Sequence, residues 1–150
     1  MKAVVQRVNK ALVEHEGKTH SRIQEGLLIL LGITPIDTED DLLWLSGKIS
    51  NLRIFDDEAG TMNKSVIQIN GEILVVSQFT LMASTKKGNR PSYVYAAKPE
   101  LAIPLYEKFV EQLRSDTGLV VKTGIFGAEM QVHLVNNGPV TILLDTKNKE

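Results

Sequence analysis

The chain has no cysteine. That absence removes disulfides, thiolate nucleophiles and cysteine-ligated zinc or iron–sulfur centres together, so any chemistry must come from oxygen, nitrogen or the backbone. The three histidines, His15, His20 and His133, stand at no metal-ligand spacing, and each fits a surface or sheet-face position. No metal and no cofactor is expected. Long apolar runs are missing too. The longest, Leu27 to Ile33, is broken by Gly32 and is far too short to cross a bilayer, and Met1-Lys2-Ala3-Val4 begins no signal-peptide pattern. A cytoplasmic protein with no membrane partner is expected. Charge of one sign is also lacking: 17 Lys and Arg face 18 Asp and Glu, a formal net charge of -1. Without a general pull on polyanions, any contact with RNA must be local. Finally, there is no G-x-S-x-G elbow, no phosphate-binding G-x-x-x-x-G-K-[ST] loop and no H-E-x-x-H pair.

What is present is the composition of an ordinary globular domain: 150 residues, 43% hydrophobic and 23% charged, with no repeat, low-complexity stretch or linker. We expect one domain over residues 1–150. Lys2–Val8 and Ala11–His15 are short, β-branched and partly alternating, and suggest an opening hairpin, with a turn at Gly17 beyond. Leu27–Ile33 suits a strand covered on both faces. A helix begins at Thr38, capped by Thr38 or Asp37, carries Glu39, Asp40 and Asp41 in its first turn, and ends near Asn51. After the Asn70-Gly71 turn signal, Ile73–Leu81 reads as a strand, and Ser84–Arg90 as a polar, basic loop. A second helix runs from about Pro99 to Gly118 with Leu101, Leu105, Phe109 and Leu113 as its apolar stripe. Leu119–Thr123, Met130–Val135 and Val140–Leu144 read as three further strands. Short strands with two inserted helices make an α+β domain, with curved or barrel-like mixed sheets and both main helices packed outside.

Two segments stand out. Ser77-Gln78-Phe79-Thr80-Leu81 puts hydroxyl and amide groups at the end of an apolar strand, where burial demands hydrogen-bond partners; bonds to neighbouring backbone would satisfy them equally well. Asn137-Gly138-Pro139-Val140-Thr141 joins two strands and by itself fits a plain turn. Neither segment alone identifies a function.

Together with other segments they do. Met1–Val8, Gly26–Gly32, Leu52–Asp56, Met62-Asn63, Val75–Leu81, Lys87–Ser92, Phe126–Ala128 and Asn136–Thr141 make the chain resemble the D-aminoacyl-tRNA deacylase family over essentially its whole length. Ser-Gln-Phe-Thr-Leu followed about sixty residues later by Gly-Pro-Val-Thr is that family's paired signature. Asn137 departs from it, standing where the family often has Asp.

The resemblance implies a homodimeric esterase that hydrolyses D-aminoacyl-tRNA, with Ser77, Gln78, Phe79 and Thr80 forming the catalytic strand end. It implies a cis Gly138-Pro139 step that enters the partner subunit's pocket and excludes L side chains, with Arg7 holding that step in place. Taken alone, Arg7 also fits a surface or salt-bridge position. Ester hydrolysis passes through a tetrahedral oxyanion, for which the Phe79 and Thr80 backbone N–H groups are the expected donors. A filter that senses a side chain leaves glycine unexcluded, so mischarged glycyl-tRNA is an expected second substrate. Lys86, Lys87 and Arg90 form a local basic loop for the acceptor end, or an ordinary solvated loop. Phe126, Gly127, Ala128 and Met130 border a pocket for the terminal adenine, or pack in a sheet core. Two readings of another class stay open from the residues alone: a non-catalytic RNA-binding module, against which the lack of a basic surface and of interleaved exposed aromatics weighs, and a structural dimerising protein.

Overall fold

A computed structural model of the protein describes residues 1–150. The elements run β1 (Lys2–His15), β2 (Lys18–Ile23), β3 (Gly26–Gly32), α1 (Glu39–Ser50), β4 (Phe55–Asp56), β5 (Met62–Lys64), β6 (Glu72–Ser77), a 3-10 turn (Phe79–Met82), α2 (Pro99–Thr117), β7 (Val121–Thr123) and β8 (Gln131–Asp145). The main sheet has the order β2-β1-β3-β6-β7, with β8 along the other edge of β1, while β4 and β5 make a separate hairpin. β3 and β6 are parallel, as are β6 and β7; the other pairs are antiparallel. Ser21 Oγ donates to the Thr123 carbonyl at 2.9 Å and Lys122 Nζ to the Arg22 carbonyl at 2.5 Å. These bonds draw β2 toward β7 and nearly close the sheet into a barrel, the α+β architecture expected from the sequence. No helix is long and apolar enough to cross a membrane.

Strand periodicity sorts the core into two clusters. Along β3, Leu27, Ile29 and Leu31 face the helices, whereas Leu28 turns into the barrel with Leu74 and Val76 of β6. The expected opening hairpin does not form: Lys2–His15 is one strand, and the chain reverses at Glu16-Gly17 into β2. The break sensed at Asn9-Lys10 is a bulge, where β1 advances two residues from Val8 to Lys10 while β8 advances one, from Asn136 to Val135. One extra residue inverts the alternation. Ala3 and Val5 therefore pack under the helices, and Val8, Ala11 and Val13 fill the barrel.

Helix α1 begins after Thr38, whose side chain and backbone bond Asp41 in a capping box. Burial works to raise the Asp41 titration, but hydrogen bonds from Lys147, Thr146 and Thr38 outweigh it and hold the carboxylate well below its ordinary range. Lys147 Nζ reaches Asp41 at 2.7 Å, tying the chain's last residues to the helix. Helix α2 occupies its expected span, with Gly118 at its C-terminal end; Phe109 and Leu113 of the expected stripe are buried, but toward the N-terminus the buried face is rotated away from it. Ala102, Tyr106, Phe109, Val110 and Leu113 go inward, while Leu101 is exposed and Leu105 half-buried. A stripe at strict four-residue steps drifts around the helix, whereas the observed mix of three and four follows its period.

Three strand boundaries also differ from the sequence reading. β6 stops at Ser77, where the chain turns into Phe79–Met82. β7 is confined to Val121–Thr123, and Met130–Val135 and Val140–Leu144 join into the single strand β8.

Candidate active site

The site forms where β6 ends. Ser77 is the last residue paired with Leu31 of β3, and the Gln78 N–H donates to the Leu31 carbonyl at 2.8 Å. The 3-10 turn then lies directly on β3. It can do so because residue 32 is glycine: a Cβ there would stand 3.0 Å from Leu81 Cβ and 3.1 Å from the Gln78 carbonyl oxygen. Gly32 is a site-building residue that reading the sequence did not single out. Its signal is a glycine closing an otherwise bulky apolar strand.

Beside this turn opens a cavity of about 370 Å³, walled by Leu31, Ile33, Ser77, Phe79, Tyr93 and Phe126, with Ala96, Ala97 and Gly127 among the smaller contributors. Phe79 is 56% exposed at its mouth and meets Tyr93 edge-on, with ring centroids 5.0 Å apart. From below, Tyr106 buttresses Phe126 edge-on at 5.6 Å, and its hydroxyl donates to the Val75 carbonyl at 2.9 Å. Burial pushes the Tyr106 phenol far above its ordinary titration range, so this bond keeps its proton across the physiological range.

The cavity wall contains no carboxylate, imidazole, ammonium or guanidinium group. Polar chemistry is confined to Ser77, to the Tyr93 phenol and to the turn. Gln78 Nε2 donates to Thr80 Oγ1 at 2.5 Å, so the Thr80 hydroxyl is held by an amide and not by a base. The opening residues of a 3-10 turn have N–H groups without an acceptor inside it, which leaves the Phe79 and Thr80 backbone donors free; Ser77 and Phe79 line the cavity, whereas Gln78 and Thr80 do not.

The other signature segment lies in β8. Between the pairs Val8–Asn136 and Gln6–Thr141, residues Asn137 to Val140 bulge outward opposite Arg7 alone. Buried Arg7 spans the base of this bulge, with Nε donating to the Asn137 carbonyl at 3.0 Å, Nη1 to the Ile54 carbonyl at 2.8 Å, and the Asp56 carboxylate 3.4 Å away. Asn136 closes the bulge by accepting from the Val140 N–H at 2.9 Å and donating to Thr141 Oγ1 at 3.0 Å. The Gly138-Pro139 peptide is cis, and both residues are exposed and absent from the wall of the chain's own cavity. Gly138 has φ 133°, and a Cβ there would come within 2.8 Å of Val140 Cγ2 and 3.1 Å of Arg7 Nη2.

Of the remaining residues singled out from sequence, Phe126 and Gly127 line the cavity, and Ala128 and Met130 do not. Met130 lies beside the turn at Ile125–Ala128, its sulfur accepting from the Ile125 N–H, and packs against the barrel interior. Lys86, Lys87 and Arg90 are exposed in a loop whose stem is pinched by paired backbone bonds between Ser84 and Ser92.

A near-closed mixed barrel with two helices on one side and a cavity at the end of β6 defines a fold shared with a solved probable eukaryotic D-amino acid tRNA deacylase (TM-score 0.81, 16% identity, 95% of this chain and 97% of that one). The chain belongs to the D-Tyr-tRNA(Tyr) deacylase family, which it matches over residues 4–145. Relatives called D-aminoacyl-tRNA deacylase, from Cytophaga hutchinsonii and Porphyromonas gingivalis, are 63% and 62% identical across the full length of both chains. A solved c-Myc DNA Unwinding Element Binding Protein is 48% identical, with a TM-score of 0.92 over 97% of this chain and 98% of that one.

Proposed function

We propose that the protein hydrolyses the ester joining a D-amino acid to the terminal ribose of tRNA, releasing free D-amino acid and tRNA in the cytoplasm. The observation that carries this reading is the cavity walled by Ser77 and Phe79: shaped and apolar, with no carboxylate, imidazole or amine in its wall and only the Ser77 hydroxyl and the Tyr93 phenol as side-chain O–H groups. Such a site suits a reaction in which main-chain donors do the stabilising. Water adds to the ester carbonyl, the Phe79 and Thr80 N–H groups hold the resulting oxyanion, and the ester C–O bond breaks with the proton passing to the ribose oxygen. The ribose's own neighbouring hydroxyl assists the water. An amide-held Thr80 hydroxyl is a poor nucleophile, because nothing beside it can take its proton.

The active unit in this reading is a homodimer. The Gly138-Pro139 bulge projects from β8, whose outer edge is unpaired and carries the exposed Leu134, Val135 and Leu143, and it enters the partner's cavity near Phe79. There its carbonyls receive the substrate's α-amino group and its backbone occupies the space an L side chain would need, which is selection by exclusion. Arg7 sets the bulge's direction. The terminal adenosine lies against Phe126 and Gly127, and Lys86, Lys87 and Arg90 take nearby phosphates. Glycine has nothing to exclude, so glycyl-tRNA is also a substrate.

Parallel deacylation of D-tyrosyl-, L-tyrosyl- and glycyl-tRNA tests the whole reading. The first and third are cleared and the second is spared. Intact D-tyrosyl-tRNA leaves a binding module without turnover, and intact glycyl-tRNA at enzyme levels that clear D-tyrosyl-tRNA removes the exclusion filter.

A further inference from the structure

A second concavity of about 740 Å³ adjoins the cavity just described. Three chain segments pass from one into the other. Leu31 and Ile33 wall the cavity and Thr34 to Ile36 the groove; Phe79 lies on the cavity and Met82 to Lys86 on the groove; Tyr93 faces the cavity and Val94 and Tyr95 the groove. Every crossing is made within a few residues, so the groove lies next to the cavity along the same three segments.

The groove's surface has a definite chemistry. Contrary to the sequence expectation that exposed aromatics are lacking, Tyr95 is 62% exposed here beside Ile36 and Val94 at 69% and 75%, an unusual concentration of bare apolar and aromatic area on a chain of ordinary composition. Lys2 and Lys86 flank them and no acidic side chain lines the groove, although Asp and Glu outnumber Lys and Arg in the whole chain. An exposed aromatic platform bordered by cations is the surface that single-stranded nucleic acid uses, the base stacking on the ring and the phosphates meeting the charges.

We infer that this groove holds the unpaired nucleotide preceding the terminal adenosine, a cytidine stacked on Tyr95 with its phosphate toward Lys86. The inference rests on the deacylase reading and extends it, because it makes the enzyme read a short single strand and not an aminoacyl nucleoside alone. It also accounts for how a chain of net charge -1 engages RNA: recognition is concentrated on a few unpaired nucleotides.

The test compares two small esters, D-tyrosyl-adenosine and the D-tyrosyl ester of the trinucleotide cytidylyl-cytidylyl-adenosine. Wild-type enzyme is expected to prefer the trinucleotide about tenfold in kcat/KM, mostly through KM, with Tyr95→Ala abolishing that preference and Tyr95→Phe keeping it. Equal rates on both esters with wild type overturn the inference, as does an equal loss on both with Tyr95→Ala. A changed sedimentation mass for Tyr95→Ala also overturns it, by assigning the groove to a second copy of the chain. If wild type cleaves neither ester and leaves D-tyrosyl-tRNA intact as well, the deacylase reading fails by itself. Calorimetry with the uncharged trinucleotide then decides the groove separately: binding weakened about tenfold by Tyr95→Ala upholds it, and no binding overturns it.

Discussion

Around the cavity, Leu31, Ile33 and Phe126 belong to or pack against the large cluster between sheet and helices, so the wall is held by bulk burial from several elements at once. In the bulge at Asn137–Val140 the tip, Gly138 and Pro139, is exposed, and it is held by one arginine, one asparagine, the lack of a side chain at Gly138 and a core contact from Val140. The cavity is therefore tolerant of change at any single wall contact but costly to unfold. The bulge is cheap to distort and intolerant of small shifts. In the proposed dimeric site, shape rests on packing and selectivity on a few hydrogen bonds.

The two regions should respond in opposite ways to substitution. Ile29→Ala empties fully buried space in the cluster between sheet and helices and should cost roughly 2–5 kcal/mol in denaturant unfolding. The ratio of D- to L-tyrosyl-tRNA hydrolysis should stay unchanged. Gly138→Ala should weigh on activity more than on stability: backbone strain at φ 133° should cost only about 1–3 kcal/mol, while kcat/KM on D-tyrosyl-tRNA falls about a hundredfold, the scale expected when a positioning group moves by roughly 1 Å. If that variant melts early and keeps its activity, the bulge is structural. Arg7→Lys removes the fork that serves two carbonyls and leaves a point charge. It should relax rejection of L-tyrosyl-tRNA by about tenfold and cost about 1–3 kcal/mol of stability; unchanged rejection would detach Arg7 from the filter.

Asp41 lies in neither region, and its effect is the smallest. Its folded titration sits below the ordinary carboxylate value, so its stabilisation is whole above about pH 4 and is lost as pH falls below that. Asp41→Asn should therefore lower stability on the order of 1 kcal/mol at pH 7 and little at pH 2, read from urea midpoints at the two pH values. A loss of equal size at both pH values would contradict the assignment.

The helices and β3 were legible because their signals are local: Thr38 followed by three acids, Pro99 and Gly118 at either end of α2, and a strand apolar on both faces. The nature of the pause at Asn9 was not, since a bulge and a turn differ only in what the partner strand β8 does more than a hundred residues later. Nor was the stop at Ser77. The change from strand to 3-10 turn depends on the space left by Gly32, which no window around Ser77 contains. The signature residues were found as segments, but their separation in one chain, with Phe79 on a cavity and Pro139 on an outward bulge, belongs to the fold and not to the spacing.

The central claim is that backbone groups, and not a side-chain nucleophile or base, carry the hydrolysis. Single-turnover cleavage of D-tyrosyl-tRNA by Thr80→Ala tests it most directly. A rate within about tenfold of wild type is expected, since general-base or nucleophilic side chains contribute far more where they operate; complete loss in a folded variant would establish the Thr80 hydroxyl as the nucleophile.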